Sequence, residues 1–195
     1  KDLFYGVDLD LKALRIAKTN LILRESRSIN DLKRLVKWTE VLDLNFKCGN
    51  SLLSGKLNKD GLEIYEKNSK IQELIEKRQA LKERNYLTEN KNNNKAELIK
   101  KQIQKLKRDL KKTHFDAKKY DIVHSKNRFD WEIEFPEVFF REPKPGFGFV
   151  VGNPPYVQLS MDKQKRKLWK GYLKERFGSS MGRLNTFGFF VSLGI

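Results

Sequence analysis

Apolar positions change rhythm along this chain. Leu3-Phe4-Tyr5-Gly6-Val7 is a short continuous run that predicts a buried strand, closed by the acidic pair Asp8 and Asp10. Ala13, Ile16, Ala17 and Leu21 recur at helical spacing and predict a helix with those residues on its inner face. Asn45-Phe46-Lys47-Cys48 predicts a second strand, ended by the turn residues Gly49-Asn50-Ser51. Strand, helix, strand is the order of an α/β unit built on a parallel sheet.

Beyond about Gly55 the rhythm becomes purely helical. Ile71, Leu74 and Leu81 share one stripe, which Arg78 interrupts. Past the breaker run Asn90-Lys91-Asn92-Asn93-Asn94, a second stripe follows at Ile99, Ile103, Leu106 and Leu110, with the alternating spacing of a coiled coil. Two such helices joined by a polar turn predict an antiparallel helical hairpin. Its second helix is basic, with Lys100, Lys101, Lys105, Lys107, Arg108, Lys111 and Lys112. Either a phosphate-contacting arm or a charged face that keeps a protruding hairpin in solution accounts for that.

From about Tyr120 the composition shifts again. Phe129 to Phe139 is dense in aromatics and acids. Phe147-Gly148-Phe149-Val150-Val151-Gly152 is apolar without alternation and predicts a strand buried on both faces. A basic helical stretch is expected from Met161 to Phe177, and an apolar helix from near Leu184. The divisions are thus residues 1–54, 55–119 and 120–195. The outer two belong to one α/β domain, and the middle one is an inserted hairpin.

Composition sharpens this in a few ways. Of 195 residues, 38% are hydrophobic and 34% charged, which suggests a packed part beside a solvated part. The net charge of +16 points to a polyanionic partner, although lysines dressing every solvated helix would produce the same number. The single cysteine, Cys48, excludes an internal disulfide and has no neighbours at metal-ligand spacing, so no metal is expected. No apolar run reaches membrane-spanning length and no signal peptide is evident, so a cytoplasmic location is expected. Lys1 opens almost directly on a strand and Phe187 to Ile195 is still apolar, so both ends look cut.

Candidate chemistry concentrates at Asn153-Pro154-Pro155-Tyr156, immediately after the apolar run. Consecutive prolines cannot continue a β-ladder, since neither has an N–H to donate. They hold a stiff extended turn where a strand ends, which is where open α/β sheets place their ligands. Such a turn aims an amide oxygen and a backbone carbonyl the same way. Together they can accept both hydrogens of an exocyclic amine and leave its lone pair free, while Tyr156 stacks on the base. A base recognised this way has to leave the duplex.

Asn-Pro-Pro-Tyr after a hydrophobic strand resembles the catalytic motif of S-adenosylmethionine-dependent amino-methyltransferases. Average composition produces the tetrapeptide by chance in roughly one chain in a thousand of this length. Gly6-Val7-Asp8-Leu9-Asp10 resembles that family's second cofactor motif, which implies that Asp8 accepts from the ribose hydroxyls. Taken alone, Asp8 also suits a helix cap or first-turn acid, and Asp10 suits a cap better. Cys48-Gly49-Asn50-Ser51-Leu52 resembles the third motif, usually built on Asp but familiar in this form from large restriction–modification methylases. It implies a contact from Asn50 to the cofactor's adenine, and a plain turn asparagine explains the residue equally well.

The block from Phe129-Asp130-Trp131 through Phe139, the buried strand, Gly-Asn-Pro-Pro-Tyr-Val and a long charged insertion before them together resemble the type IIG restriction–modification methylases. Gly182-Arg183-Leu184-Asn185-Thr186-Phe187 is similar to the helix that follows the catalytic loop there. Gly148 stands where those enzymes usually have Asp, which implies altered capping at the strand start. The resemblance implies an incomplete Rossmann-like methyltransferase sheet with an inserted hairpin. The implied reaction carries a methyl group from S-adenosylmethionine to the N6 amine of a flipped DNA adenine. The glycine-rich first motif of that family would precede Lys1, its strand lying between the strands that end at Asp8 and Gly152. Residues 1–195 alone are therefore expected to be inactive. Two alternatives remain open: an RNA or protein-glutamine methyltransferase, which shares Asn-Pro-Pro-Tyr, and an inactive truncated remnant that only binds nucleic acid.

Overall fold

Parallel pairing of two short strands organises the amino-terminal part. In the computed structural model, which describes residues 4–27, 32–53, 63–83, 93–113, 128–154, 167, 171–172 and 187–190, β1 (Gly6–Asp8) pairs with β2 (Phe46–Cys48) in the register Gly6↔Phe46, Val7↔Lys47, Asp8↔Cys48. Gly6 is required by this pairing, because a Cβ there would lie 2.7 Å from the Phe46 ring.

Between the strands run α1 (Leu11–Ser26) and α2 (Leu32–Asn45). Asp10 caps α1, its side chain accepting from the Lys12 N–H at 2.8 Å. Leu14 is the buried residue of α1, whereas Ile16, expected on the inner face, is exposed. The correction is rotational: Ala13, Ala17 and Leu21 are half-buried, and the inward face is centred nearer Leu14 than Ile16. Helix α2 was not anticipated. Leu35, Trp38, Leu42 and Asn45 form its inward stripe, and Asn45 Nδ2 donates to the Phe4 carbonyl at 3.2 Å. The helix therefore ends directly against the chain that leads into β1.

Helices α3 (Glu63–Glu83) and α4 (Asn93–Thr113) share one core. The anticipated stripes supply most of it, with Ile71, Leu74 and Leu81 meeting Ile103, Leu106 and Leu110; Ala96 joins them, and the anticipated Ile99 packs against the cluster only half-buried. The same cluster takes in Ile133, and Leu44 and Phe140 pack against it, so the helix pair is joined to the α/β part by a continuous apolar contact. Residues 84–92, which hold most of the asparagine run, lie outside the described residues.

The aromatic block forms two single-turn helices, α5 (Trp131–Glu134) and α6 (Pro136–Phe139). Pro136 separates them: it has no N–H for the preceding turn and suits the first position of the next. Phe129, Phe135 and Val138 are buried, surrounded by Tyr5, Val7, Trp131, Phe139 and Phe147.

The strand expected over Phe147–Gly152 is not formed. Phe149 is 85% exposed and Val151 83% exposed, and among the described residues the sheet consists of β1 and β2. A continuous apolar run records what a segment would bury, but a strand also needs ladder partners along its edges. None of the described strands pairs with this segment. Of the helices expected after Asn153, the described residues 167, 171–172 and 187–190 are helical, with Tyr172 and Phe189 buried. No helix among the described residues is long and apolar enough to cross a membrane.

Candidate active site

Because β1 and β2 are parallel, their carboxyl ends reach the same edge, and that edge carries Asp8 and Asn50. The Gly49 N–H donates to the Asp8 carbonyl at 2.9 Å, extending the ladder by one bond into the turn. The Asp8 side chain is exposed, and its Oδ1 accepts from the Asp10 N–H at 2.7 Å. That bond fixes the carboxylate at the start of α1, while Asp10 does the capping. Asn50 forms an isolated parallel bridge with Arg128, and its Oδ1 accepts from the Leu52 N–H at 3.1 Å. The turn-asparagine role is therefore realised; it occupies one of the two lone pairs on that amide oxygen.

The turn after β2 is an anchoring point for later parts of the chain. Trp131 Nε1 donates to the Ser51 carbonyl at 3.0 Å, the Phe129 N–H to the Leu53 carbonyl at 2.9 Å, and the Tyr172 hydroxyl to the Leu52 carbonyl at 3.0 Å. Gly49 makes room for this docking, since a Cβ there would come within 2.8 Å of the Phe129 side chain. Residues on both sides of Asn153 in sequence are thus tied to the turn that contains Asn50.

Asn153 itself is exposed and Pro154 is half-buried, at the end of the unpaired apolar segment. Pro155 and Tyr156 lie outside the described residues. The structure brings Asp8 and Asn50 together, and among the described residues no hydrogen bond links Asn153 to either. An open depression of ≈ 520 Å³ lined by Asn20, Leu23, Arg24 and Arg27 runs along the far half of α1 and includes none of these residues.

The model of the Eco57I restriction-modification methylase family matches residues 3–195. The chain belongs to this family. Searches of curated proteins and of solved structures found no match. The matched range runs through Asp8, Asn50 and Asn153-Pro154-Pro155-Tyr156, and across α3 and α4 between them.

Sequence reasoning missed the charged groups that this Eco57I-family chain buries between its helix pair and the aromatic block. Arg78 is 1% exposed and grips Glu137 with both arms of its fork, Nε to Oε2 at 2.9 Å and Nη2 to Oε1 at 2.8 Å. Lys82 Nζ reaches the same Oε1 at 2.9 Å, and the Tyr5 hydroxyl donates to it at 3.3 Å. Burial raises the Glu137 carboxyl, but bonding to Arg78 and the charges of Arg78 and Lys82 outweigh it and bring the pKa down to about 2.

Glu134 is held in the same manner, by Lys107 at 2.6 Å and Lys111 at 3.0 Å. Burial raises its carboxyl, and those two charges bring it down to about 2. Lys107 and Lys111, read from sequence as part of a basic face that either contacts phosphate or is solvated, are committed to this contact. Lys47 shows the converse. Desolvation first, then the charges of Lys107 and Arg78, lower its pKa to about 7 against the pull of Glu134 and Asp43. The available signal was Arg78 itself: a charge at a core position of a helical stripe implies a buried partner of opposite sign.

Proposed function

We propose that this chain is part of a site-specific DNA methyltransferase of a restriction–modification system, transferring a methyl group from S-adenosylmethionine to the N6 amine of an adenine flipped out of DNA. One observation carries the reading. Asn153-Pro154-Pro155-Tyr156 stands in a chain of a restriction–modification methylase family, directly after an apolar segment, and its Asn153 is exposed. Within that reading, residues 1–54 and 120–195 form one Rossmann-like domain, and residues 55–119 are an antiparallel hairpin inserted into it.

The residues present fit the cofactor. Asp8 offers an exposed carboxylate at the carboxyl edge of parallel strands, suited to ribose hydroxyls, with its orientation set by the Asp10 N–H. Asn50 stands on the same edge with one lone pair of its amide oxygen beyond the bond to Leu52, suited to an adenine amine. Bound there, the cofactor supplies an electrophilic methyl group.

On the target side, Asn153 Oδ1 and the Pro154 carbonyl accept the two hydrogens of the amine. This turns its lone pair outward and makes the nitrogen the nucleophile without a strong base. Tyr156 holds the base by stacking. Rate comes from orientation and from dipoles fixed in advance rather than from a covalent enzyme intermediate.

DNA is favoured over RNA or a protein glutamine by the restriction–modification family and by the long insertion between Asp8 and Asn153. Labelled-methyl transfer by the full-length protein to DNA, RNA and protein, followed by nucleoside analysis, tests this. N6-methyladenine in DNA is expected. N4-methylcytosine would correct the target base, and label confined to RNA or protein would overturn the reading.

A further inference from the structure

Glu137 sits where three parts of the molecule meet. Its carboxylate is held by Arg78 and Lys82 of α3 and by the hydroxyl of Tyr5, which stands directly before β1. The Tyr5 ring in turn packs edge-on against Phe135 at 4.9 Å and Phe147 at 5.4 Å. Phe147 is the first residue of the segment that leads to Asn153. Just before it, the chain is closed into a turn by the Gly146 N–H on the Val138 carbonyl at 2.9 Å and by Arg141 on the Lys144 and Gly146 carbonyls at 3.3 Å each. Past Phe147, residues 148–153 are exposed.

We infer that the helix pair positions the two halves of the site relative to each other, through Arg78 acting on Glu137 and Tyr5. The inference rests on the methyltransferase reading for its effect on catalysis, but the geometric claim stands on its own. Tyr5 is three residues from Asp8 along one extended strand, so its placement fixes the cofactor edge. Phe147 is six residues from Asn153 and sets where the target-binding segment departs. One half-buried carboxylate, clamped by the fork of a fully buried arginine that admits few orientations, holds both origins. Solvent-facing salt bridges would give no such definition, because long side chains in water hold no fixed geometry. Arg78 and Glu137 are therefore positioning residues, which touch neither substrate nor cofactor.

The test uses the full-length protein with spin labels at Leu9→Cys and Val151→Cys, both exposed positions, with Cys48 and any cysteine outside residues 1–195 replaced by serine. Arg78→Lys keeps the charge and loses the fork; Tyr5→Phe keeps the ring and loses the hydroxyl. Both should leave a folded protein, with Tyr5→Phe carrying the test if Arg78→Lys does not fold. The expected result is a broadened or shifted label-to-label distance in each. It should come with a kcat at least tenfold lower for Arg78→Lys, and a KM for S-adenosylmethionine within twofold of the parent. An unchanged distance distribution in both folded variants overturns the inference. A parent protein that methylates no DNA overturns the functional reading instead, and the distances then decide the positioning claim by themselves.

Discussion

The two halves of the proposed site are held in opposite ways. The edge with Asp8 and Asn50 is pinned by backbone: a parallel ladder, a bond from Gly49 to Asp8, and later segments docked on the carbonyls of Ser51, Leu52 and Leu53. The segment ending at Asn153 is fixed at its root, by Phe147 among other rings, and is exposed along its length. The contrast shows what each kind of information needs. Turn chemistry and ladder bonds between near neighbours set the first half. The second requires apolar cover and strand partners, and among the described residues it has neither.

If that contrast is right, substitutions at the pinned side cost stability and those at the exposed side do not. The largest effect is expected from Arg78→Met, which leaves Glu137 with an unfilled place in a buried cluster. Breaking one partner of such a pair costs about 3–5 kcal/mol, measured by denaturant unfolding. A loss under 1 kcal/mol would mean that the cluster is hydrated in solution.

Acid titration comes next. Glu134 and Glu137 have folded pKa values of about 2, below the usual 4.5, so they stabilise the fold fully above pH 4.5 and lose that contribution as pH falls toward 2. Lys47 works at the other end. Its folded pKa of about 7 lies below 10.5, so the unfolded chain binds more protons between those values and stability rises with pH across that window. Melting temperatures from pH 2 to 10 should follow both slopes, and Lys47→Met should reduce the alkaline one without abolishing it, because burial also holds the Lys107 amine below its ordinary value.

Gly49→Ala places a methyl group against the Phe129 side chain and should cost about 1–3 kcal/mol, with the loss seen in thermal melts. Unchanged melting would show that the docking of Phe129 is soft. The smallest effect belongs to Val151→Ser, at a position already in solvent, where about 0.5 kcal/mol or less is expected. A large loss there would mean that the segment is covered in the working protein and would remove the contrast.

Legibility in the sequence follows the same division. The α3 and α4 stripes could be read because amphipathic periodicity reports a buried face directly, and Ile71, Leu74, Leu81, Ile103, Leu106 and Leu110 are all buried. Asp10 as a cap could be read from its place before the helix. Helix α2 could not, since its lysines and acids obscure a stripe of which Leu42 and Asn45 are the buried members. Arg78 looked like an interruption because hydropathy has no sign for a buried pair whose other half, Glu137, lies 59 residues away. Phe147–Gly152 misled for a related reason: apolar character specifies a need for cover without naming what supplies it. At the site, Asp8 and Asn50 were singled out by motif resemblance and Asn153 by the tetrapeptide; the structure adds that Asp8 and Asn50 share one strand edge and that Asn153 is exposed.

The central claim is that Asn153 orients the target amine and does little else. Steady-state transfer of labelled methyl to DNA by the full-length protein and by Asn153→Ala tests it most directly. The account predicts kcat lower by roughly 10²–10³-fold, the loss typical of removing one fixed dipole from a reacting centre, with the KM for S-adenosylmethionine and the melting temperature unchanged. Transfer at the parent rate by Asn153→Ala would contradict it.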